Sequence, residues 1–225
     1  ARWNNGKGFN PIRFSGSFNG NNYTITNLTI DRRSKVIVGL FKTNLGNVTN
    51  VTIRKFSMTG RVVGAVVAVN NGTITDITAQ GSITGDNGIG AIVGHNRRGG
   101  TLINTEAQVD IQAGLPEFSP YGPINDNSSV GGLVGYNQYG TIKRSSATGT
   151  ITASSITGVG GLVGGTSGGV IANSSTTTKI TGKNYVGGFV GSSDGDIIRD
   201  AYAAGNVSGS TNTGGFVGAV RPSTS

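Results

Sequence analysis

The residues of this chain that could carry out acid, base or metal chemistry are few and scattered. The sequence has one histidine, His95, no cysteine, and only ten acidic residues in 225. His95 follows Gly94 and precedes Asn96, and no glutamate lies four residues away to complete a zinc or base pair. We therefore expect His95 to lie in a surface turn.

The best cluster of acids is formed by Asp194, Asp196 and Asp200. A glycosidase or lyase needs two or three carboxylates on one face, and calcium also prefers oxygen ligands. However, Asp194 and Asp196 flank Gly195, and acids commonly stabilise turns at such positions. Glycine-rich phrases such as residues 160–165 lack the Gly-Lys-Ser/Thr of a phosphate loop. The sequence predicts no catalytic residue, no metal and no cofactor.

The elements that position these residues repeat along the chain. The phrase Val130-Gly-Gly-Leu-Val-Gly135 returns, with small changes, in units that begin at residues 37, 63, 89, 130, 159, 186 and 213. Each unit holds about three short runs in which aliphatic residues alternate with Thr, Ser, Asn or Lys, separated by turn residues. One unit cannot bury its own apolar face, whereas stacked units can. We expect an all-β fold, a single-domain β-solenoid (β-helix) of about seven turns.

The flanking and inserted segments differ from the repeats. We assign residues 1–36 to an N-terminal cap with the first strands, residues 37–220 to the solenoid, and residues 221–225 to a tail. The step from residue 89 to residue 130 is 41 residues instead of 26 to 29 and contains a loop at about residues 112–128. Long loops in repeat scaffolds often carry contacts. The candidate ligand or subunit contacts are Phe118 and Tyr121 in this loop, Trp3 in the cap, and Phe216 in the last unit.

The residues from Phe14 to Ile30, the phrase Val38-Gly-Leu-Phe41 and the repeated Val-Gly-Gly-Leu-Val-Gly units resemble a known motif. They are similar to the GLUG-motif repeat regions of large secreted bacterial proteins. Such proteins include filamentous-haemagglutinin-like adhesins and the non-catalytic parts of some immunoglobulin-A-cleaving metallopeptidases. The resemblance implies a β-solenoid stalk or adhesive module, placed outside the cell or on its surface.

Three sets of polar residues are further candidates for binding or modification. Residues 1–61 hold ten basic residues against Asp31, a net +9, which leaves −1 for the rest of the +8 chain. This asymmetry favours an anionic partner such as an acidic glycan; the candidate patch is Arg32, Arg33, Lys35, Lys42, Arg54 and Lys55. A polar ladder at Asn50, Asp76, Asn104, Arg144, Asn173 and Arg199 is interpreted as a corner ladder, with a sugar- or ice-binding strip as the alternative. Glycosylation triplets begin at Asn22, Asn27, Asn47, Asn50, Asn71, Asn127, Asn173 and Asn206.

The function that these observations favour is an extracellular, non-enzymatic structural and adhesive module. One alternative is a subunit that joins head to tail by strand-edge pairing into a filament or sheath, because a last partial unit presents open strand edges. A second alternative is a polysaccharide-binding β-helix. The partners expected are a second copy or a larger parent protein, and cell-surface or acidic glycans. We expect neither nucleic acid, for which no fold signature is present, nor membrane insertion, for which no apolar run is long enough.

Overall fold

The structure, a computed structural model, describes residues 3–33, 37–114 and 128–221. The alternating aliphatic and polar residues form strands in which every second side chain points inward. In the strand Thr101–Ala113, for example, buried and more exposed side chains alternate along nearly the whole length. The chain winds through three parallel sheets in turn, which confirms the predicted β-solenoid.

Sheet I has eight strands, and each pairs in parallel with the equivalent strand of the next coil. They are β1 (Ile12–Phe14), β6 (Phe41–Asn44), β9 (Val67–Asn70), β12 (Val93–Asn96), β15 (Val134–Gln138), β19 (Val163–Ser167), β23 (Val190–Asp194) and β27 (Val217–Arg221). Sheet III has seven short strands in the same arrangement. They are β5 (Ile37–Val38), β8 (Val62–Gly64), β11 (Ile89–Gly90), β14 (Ser129–Gly131), β18 (Gly158–Gly160), β22 (Asn184–Gly187) and β26 (Thr211–Gly214).

Sheet II is the widest, with twelve strands, because in several coils two shorter strands replace one long strand. They are β2 (Ser17–Asn19), β3 (Thr24–Thr26), β4 (Thr29–Asp31), β7 (Asn47–Gly60), β10 (Thr73–Gly85), β13 (Thr101–Ala113), β16 (Thr141–Lys143), β17 (Ser146–Ala153), β20 (Val170–Thr176), β21 (Lys179–Gly182), β24 (Ile197–Ala203) and β25 (Val207–Ser208). The core lies between the three sheets as stacked columns of aliphatic side chains. One such column is Val67, Val93, Val134, Val163 and Val190, all fully buried.

The first coil begins earlier than the repeat phrase indicates. Strands β1 to β4 lie within the segment assigned to the cap, yet they stack in register on the next coil, with Phe18 opposite Val48 and Ile30 opposite Met58. The capping contact is made by residues 7–9, which cross antiparallel at Ile30. The backbone nitrogen of Phe9 donates to Thr29 O over 3.1 Å. Within the segment assigned to the cap and the first strands, residues 12–31 thus form a coil without the repeat phrase.

The 41-residue step does not interrupt the stack. Strand β13 pairs with β17 up to Ala113 and Ala153, and Ile89 in sheet III pairs directly with Val130. The strands on either side of the longer step therefore stack in the same register as in the other coils. Phe118 and Tyr121, the contact residues predicted in this loop, lie outside the described residues, as do Lys35, Asn127 and the side chain of Trp3.

Candidate functional site

His95 lies in a strand, so its assignment to a surface turn was wrong. It belongs to β12, between Val69 and Tyr136 of the neighbouring coils, and its ring is half-buried. The imidazole lies against Gly88, where an added Cβ would come within 2.0 Å of Nε2. Nε2 is buried and has no hydrogen-bond partner. Burial, with a smaller contribution from Arg97, lowers the pKa of His95 to about 4, so the ring is neutral at pH 7.

The structure separates the acids that formed the best cluster in the sequence. Asp196 Oδ1 accepts hydrogen bonds from Thr166 Oγ1 (2.8 Å) and Gly169 N (2.7 Å). Its Oδ2 accepts from Ser193 Oγ (2.7 Å) and Asp194 N (2.9 Å). Asp200 instead forms an exposed ion pair with Arg199. Asp196 is therefore an internal hydrogen-bond acceptor, and within the described ranges no group of three acidic or histidine side chains could hold a metal ion.

Asp196 ends a ladder of buried asparagines that runs along the rod. Each amide donates one N–H to the acceptor one coil further along: Asn44 to Asn70 (2.9 Å), Asn70 to Asn96 (2.9 Å), Asn96 to Asn137 (2.8 Å) and Asn137 to Thr166 (3.2 Å). The four amides also donate to a nearby glycine carbonyl in their own coil. All four asparagines are fully buried, so these hydrogen bonds satisfy groups that would otherwise be costly to bury.

The ladder explains one set of repeat glycines. An added Cβ at Gly140 would lie 2.2 Å from Asn96 Nδ2, and one at Gly169 would lie 2.2 Å from Asn137 Nδ2. Only glycine leaves room there for the amide of the preceding coil. The sequence reasoning did not identify this ladder, although an asparagine stands two to four residues before Gly46, Gly72, Gly100 and Gly140.

A second polar ladder follows an outer corner, and there the sequence register was wrong by one residue in the last coil. Ala172 pairs with Arg199, so the residue after Asn173 in the ladder is Asp200 rather than Arg199. At this corner one residue per coil has a left-handed backbone, with φ between 49° and 62°: Asn22, Asn50, Asp76, Asn104, Arg144, Asn173 and Asp200. Asn and Asp tolerate this conformation better than most residues. Their backbone conformation accounts for the ladder.

The basic residues of the predicted anionic-partner patch lie in different places. Lys42 is exposed on β6 of sheet I, whereas Arg54 and Lys55 are exposed on β7 of sheet II. Arg33 pairs with Asp31 over 3.5 Å, and Arg32 Nε donates to Phe9 O over 3.3 Å. Only Arg54 and Lys55 are adjacent, exposed and on one strand.

A cleft of about 520 Å³ opens beside these two cations at the N-terminal end of the rod. Gly6 and Gly8 of the cap form one wall, and the other wall is the first coil from Ile25 to Asp31. Arg54 and Lys55 do not line the cleft themselves, but Thr26, which does, pairs with Arg54 on the adjacent strand, and Asn27 N donates to Arg54 O over 3.0 Å. The cleft combines two aliphatic side chains, Ile25 and Leu28, with several hydrogen-bonding groups and with Asp31, the carboxylate that pairs with Arg33.

The remaining predicted site residues lie on the surface or at the far end of the rod. Of the triplet asparagines, five are exposed and Asn50 and Asn71 are half-buried; the exposed ones are Asn22, Asn27, Asn47, Asn173 and Asn206. Their glycosylation stays a prediction. Phe216 is half-buried in the last coil, and its ring stacks on Phe189 with centroids 4.8 Å apart and planes 4° apart.

Two segments of the chain, residues 126–152 and 182–208, match the family described as the GLUG motif. The chain is also similar to halomucin from Haloquadratum walsbyi, with 37% identity over 117 residues. That match covers 47% of this chain and spans only 1% of the length of halomucin. Together, the two matches support the resemblance to repeat regions of surface proteins.

One solved structure shares the fold of the GLUG repeats. It is a putative immunoglobulin A1 protease from Bacteroides ovatus, with a TM-score of 0.60 and 17% sequence identity. The similarity covers 92% of this chain and 69% of that one, and at this identity it shows the fold alone. No helix formed by the described residues is long and apolar enough to cross a membrane.

Proposed function

We propose that this chain is an extracellular, non-enzymatic structural and adhesive segment of a surface protein. The observation that carries the proposal is the unbroken ladder from Asn44 to Asp196, which links six successive coils inside the rod. Backbone hydrogen bonds between parallel strands reinforce the same direction. A stack of this kind holds its two ends at a fixed separation, which is what a spacer between a cell and its surroundings requires.

The polar groups of the described residues support a structural role. The carboxylate of Asp196 is occupied by four internal donors, and the carboxylate of Asp86 pairs with Arg61 over 3.3 Å. Burial raises the pKa of Asp86, and Arg61 partly offsets that effect. Acids with such fixed partners stabilise coils rather than take up and release protons from a substrate. The GLUG match and the similarity to halomucin support the surface location.

Labelling of intact cells tests this proposal. Antibodies raised against the recombinant 225-residue chain would be applied to unbroken cells of the source organism, with lysed cells as the reference. We expect labelling of intact cells and inhibition of their attachment by added recombinant chain. Labelling only after lysis would contradict the surface location, and turnover of any neutral or acidic polysaccharide by the purified chain would contradict the non-enzymatic role.

A second candidate function is head-to-tail assembly of copies, favoured by the C-terminal coil. Val220 is 76% exposed, and the core-facing residues Phe216 and Val217 are only half-buried. In the coil before it, Phe189 is fully buried. This end therefore has the shape and apolar character that fit another coil of the same kind, supplied by a second copy.

Two matched glycines provide the test of assembly. An added Cβ at Gly188 would lie 2.0 Å from Gly215 O in the coil that covers it, whereas a Cβ at Gly215 meets nothing within 4 Å. Gly215→Ala should therefore leave the monomer intact but clash with a coil docked on top. We expect the light-scattering mass of the unmodified chain to rise with concentration and that of Gly215→Ala to stay monomeric. A constant monomer mass for the unmodified chain, without filaments in electron micrographs, would reject this candidate.

A further inference from the structure

The outer face of sheet II carries a bulge that presents two adjacent cations. Gln80 pairs with Arg54 and Gly81 pairs with Phe56, so Lys55 is an additional residue in β7. In a regular strand one of two successive side chains points inward, but here both Arg54 and Lys55 are exposed. Lys55 has φ 54°, a left-handed conformation that is unfavourable for lysine. Bulges of this kind often re-aim side chains at functional positions.

The two cations lie in the part of the rod where positive charge is concentrated. In a solenoid, sequence order is also order along the axis, so the +9 of residues 1–61 is confined to the cap and the first coils. Within the described residues, neither Arg54 nor Lys55 forms an ion pair. Both side chains are exposed, so the two cations are available for an anion.

The cleft next to the bulge has the composition of a site for a sugar. Ile25 and Leu28 offer aliphatic surface for the apolar face of a ring, and Thr26, Asn27 and Thr29 offer hydrogen bonds to hydroxyl groups. Its volume of about 520 Å³ lies in the usual range for small-molecule sites, roughly 300–1,000 Å³. Beyond Arg54, the same outward column continues with Gln80, Gln108 and Thr148, which are uncharged hydrogen-bonding residues.

We propose that the N-terminal cleft binds an acidic polysaccharide. A sugar ring lies against Ile25 and Leu28, and its carboxylate or sulfate is held by Arg54 and Lys55. The neighbouring units of the polymer follow the column of Gln80, Gln108 and Thr148. This inference rests on the proposed adhesive function and names its partner class and its site.

The arrangement favours a polysaccharide over a nucleic acid. A nucleic acid would be held by cations that follow its regularly spaced phosphates and by aromatic side chains that stack on its bases. Here the two adjacent cations lie on one bulge, the cleft is lined by aliphatic and polar side chains and by Asp31, which pairs with Arg33 over 3.5 Å, and none of its described lining residues is aromatic. A single-stranded DNA oligomer is therefore the appropriate competitor in the test.

Calorimetric titration of the full 225-residue chain tests the inference. The probes are an oligogalacturonate, a heparin-derived sulfated oligosaccharide, a neutral malto-oligosaccharide and an oligo-dT strand. We expect at least one of the two acidic oligosaccharides to bind, with an affinity that falls as salt is raised. Which of them binds distinguishes a carboxylate from a sulfate. Equal or tighter binding of oligo-dT, or binding of neither acidic probe, would overturn the inference.

Charge-matched variants locate the site. Arg54→Gln/Lys55→Gln removes the bulge cations, and Lys143→Gln/Arg144→Gln removes an adjacent pair of cations from the same sheet three coils away. We expect the first variant to bind about tenfold or more weakly and the second to stay within about twofold. Thr26→Glu, an exposed change beside Arg54, should also weaken binding. An equal loss in both double variants would show a diffuse charge effect and reject the cleft.

The surface-labelling test and the oligosaccharide-binding test can fail independently of each other. Labelled cells together with a chain that binds no acidic oligosaccharide would leave the structural role in place and reject only the cleft. If the chain binds an acidic oligosaccharide but the antibodies label only lysed cells, the result would support the cleft and reject the surface role.

Discussion

The carboxylate of Asp196 accepts a 2.7 Å hydrogen bond from the backbone N–H of Gly169, the residue whose position it takes one coil further along the rod. In the earlier coils this position is glycine, because the amide of the asparagine ladder occupies the space. Beyond Asn137 the ladder strands contribute Thr166 and Ser193 instead of asparagine, and the acid fills the space from the other side. One carboxylate thus ends the whole series of donors.

Substitution of Asp196 should destabilise the C-terminal coils. Asp196→Gly restores the residue of the other coils but leaves four donors without their acceptor, so we expect a loss of about 2–4 kcal/mol in the free energy of unfolding. Asp196→Asn keeps one oxygen and should lose about half as much. Asp200→Asn, an exposed change in the same coil, is the control. Urea denaturation followed by circular dichroism provides the measurement, and equal stability of Asp196→Gly and the control would contradict the role of the ladder.

The interior of the ladder should be equally sensitive. Asn96→Ala leaves the amide of Asn70 without its acceptor and the oxygen of Asn137 without its donor, in a fully buried place. We expect a loss of about 3 kcal/mol in the free energy of unfolding. Asn47→Ala, at an exposed position in β7, should change it by less than about 0.5 kcal/mol. Similar denaturation midpoints for the two variants would show that the ladder contributes little.

The solenoid could be predicted from the sequence because its glycine and aliphatic positions are imposed by stacking. Gly188 is an example, since any side chain there would strike the carbonyl of Gly215. Residue type alone could not distinguish the buried ladder asparagines from surface asparagines, because buried Asn96 and exposed Asn104 are the same amino acid. Their difference lies in partners supplied by neighbouring coils. Likewise, the slip at Asp200 arises because Asp196, and not Gly195, is the structural equivalent of Gly169.

The candidate site was only partly visible in the sequence. Charge asymmetry indicated the basic N-terminal region, but it could not show that Arg54 and Lys55 point outward together. That arrangement depends on a pairing irregularity with β10, which is visible only when the strands are aligned in space. The cleft depends on the antiparallel crossing of the cap near Ile30, a contact between segments more than twenty residues apart.

Replacement of the bulge residue Lys55 should stabilise the folded chain and weaken its binding of an acidic oligosaccharide. Lys55→Asn places in the left-handed position a residue that accepts it readily, as Asn27 does in the preceding coil with φ 57°. We expect a gain of about 0.5–1 kcal/mol in the free energy of unfolding. Arg54→Asn, at the neighbouring position without left-handed φ, should give no gain. Destabilisation by Lys55→Asn would show that the lysine side chain stabilises the bulge.

The two glycines of the last repeat phrases should respond differently to the same change. Gly188→Ala forces a Cβ to within 2.0 Å of Gly215 O, and a backbone shift in such a place costs about 1–3 kcal/mol or more. Gly215→Ala meets no atom within 4 Å and should be neutral in dilute solution. Thermal denaturation at low protein concentration compares the two variants. Comparable losses of thermal stability in the two variants would mean that another group packs against Gly215.

The buried imidazole of His95 should make the rod sensitive to acid. Its pKa is lowered from 6.5 to about 4 in the folded chain, so the unfolded chain binds the proton more readily. Stability is therefore full above pH 6.5 and is lost as the pH falls from 6.5 to about 4, by about 3 kcal/mol in total. His95→Val introduces the residue that the preceding coil has in this column, Val69, and should remove that loss. Urea denaturation of both chains between pH 7 and pH 4 measures the difference, in which the contributions of other acids cancel. Parallel pH curves for the two chains would mean that the imidazole is solvated when folded.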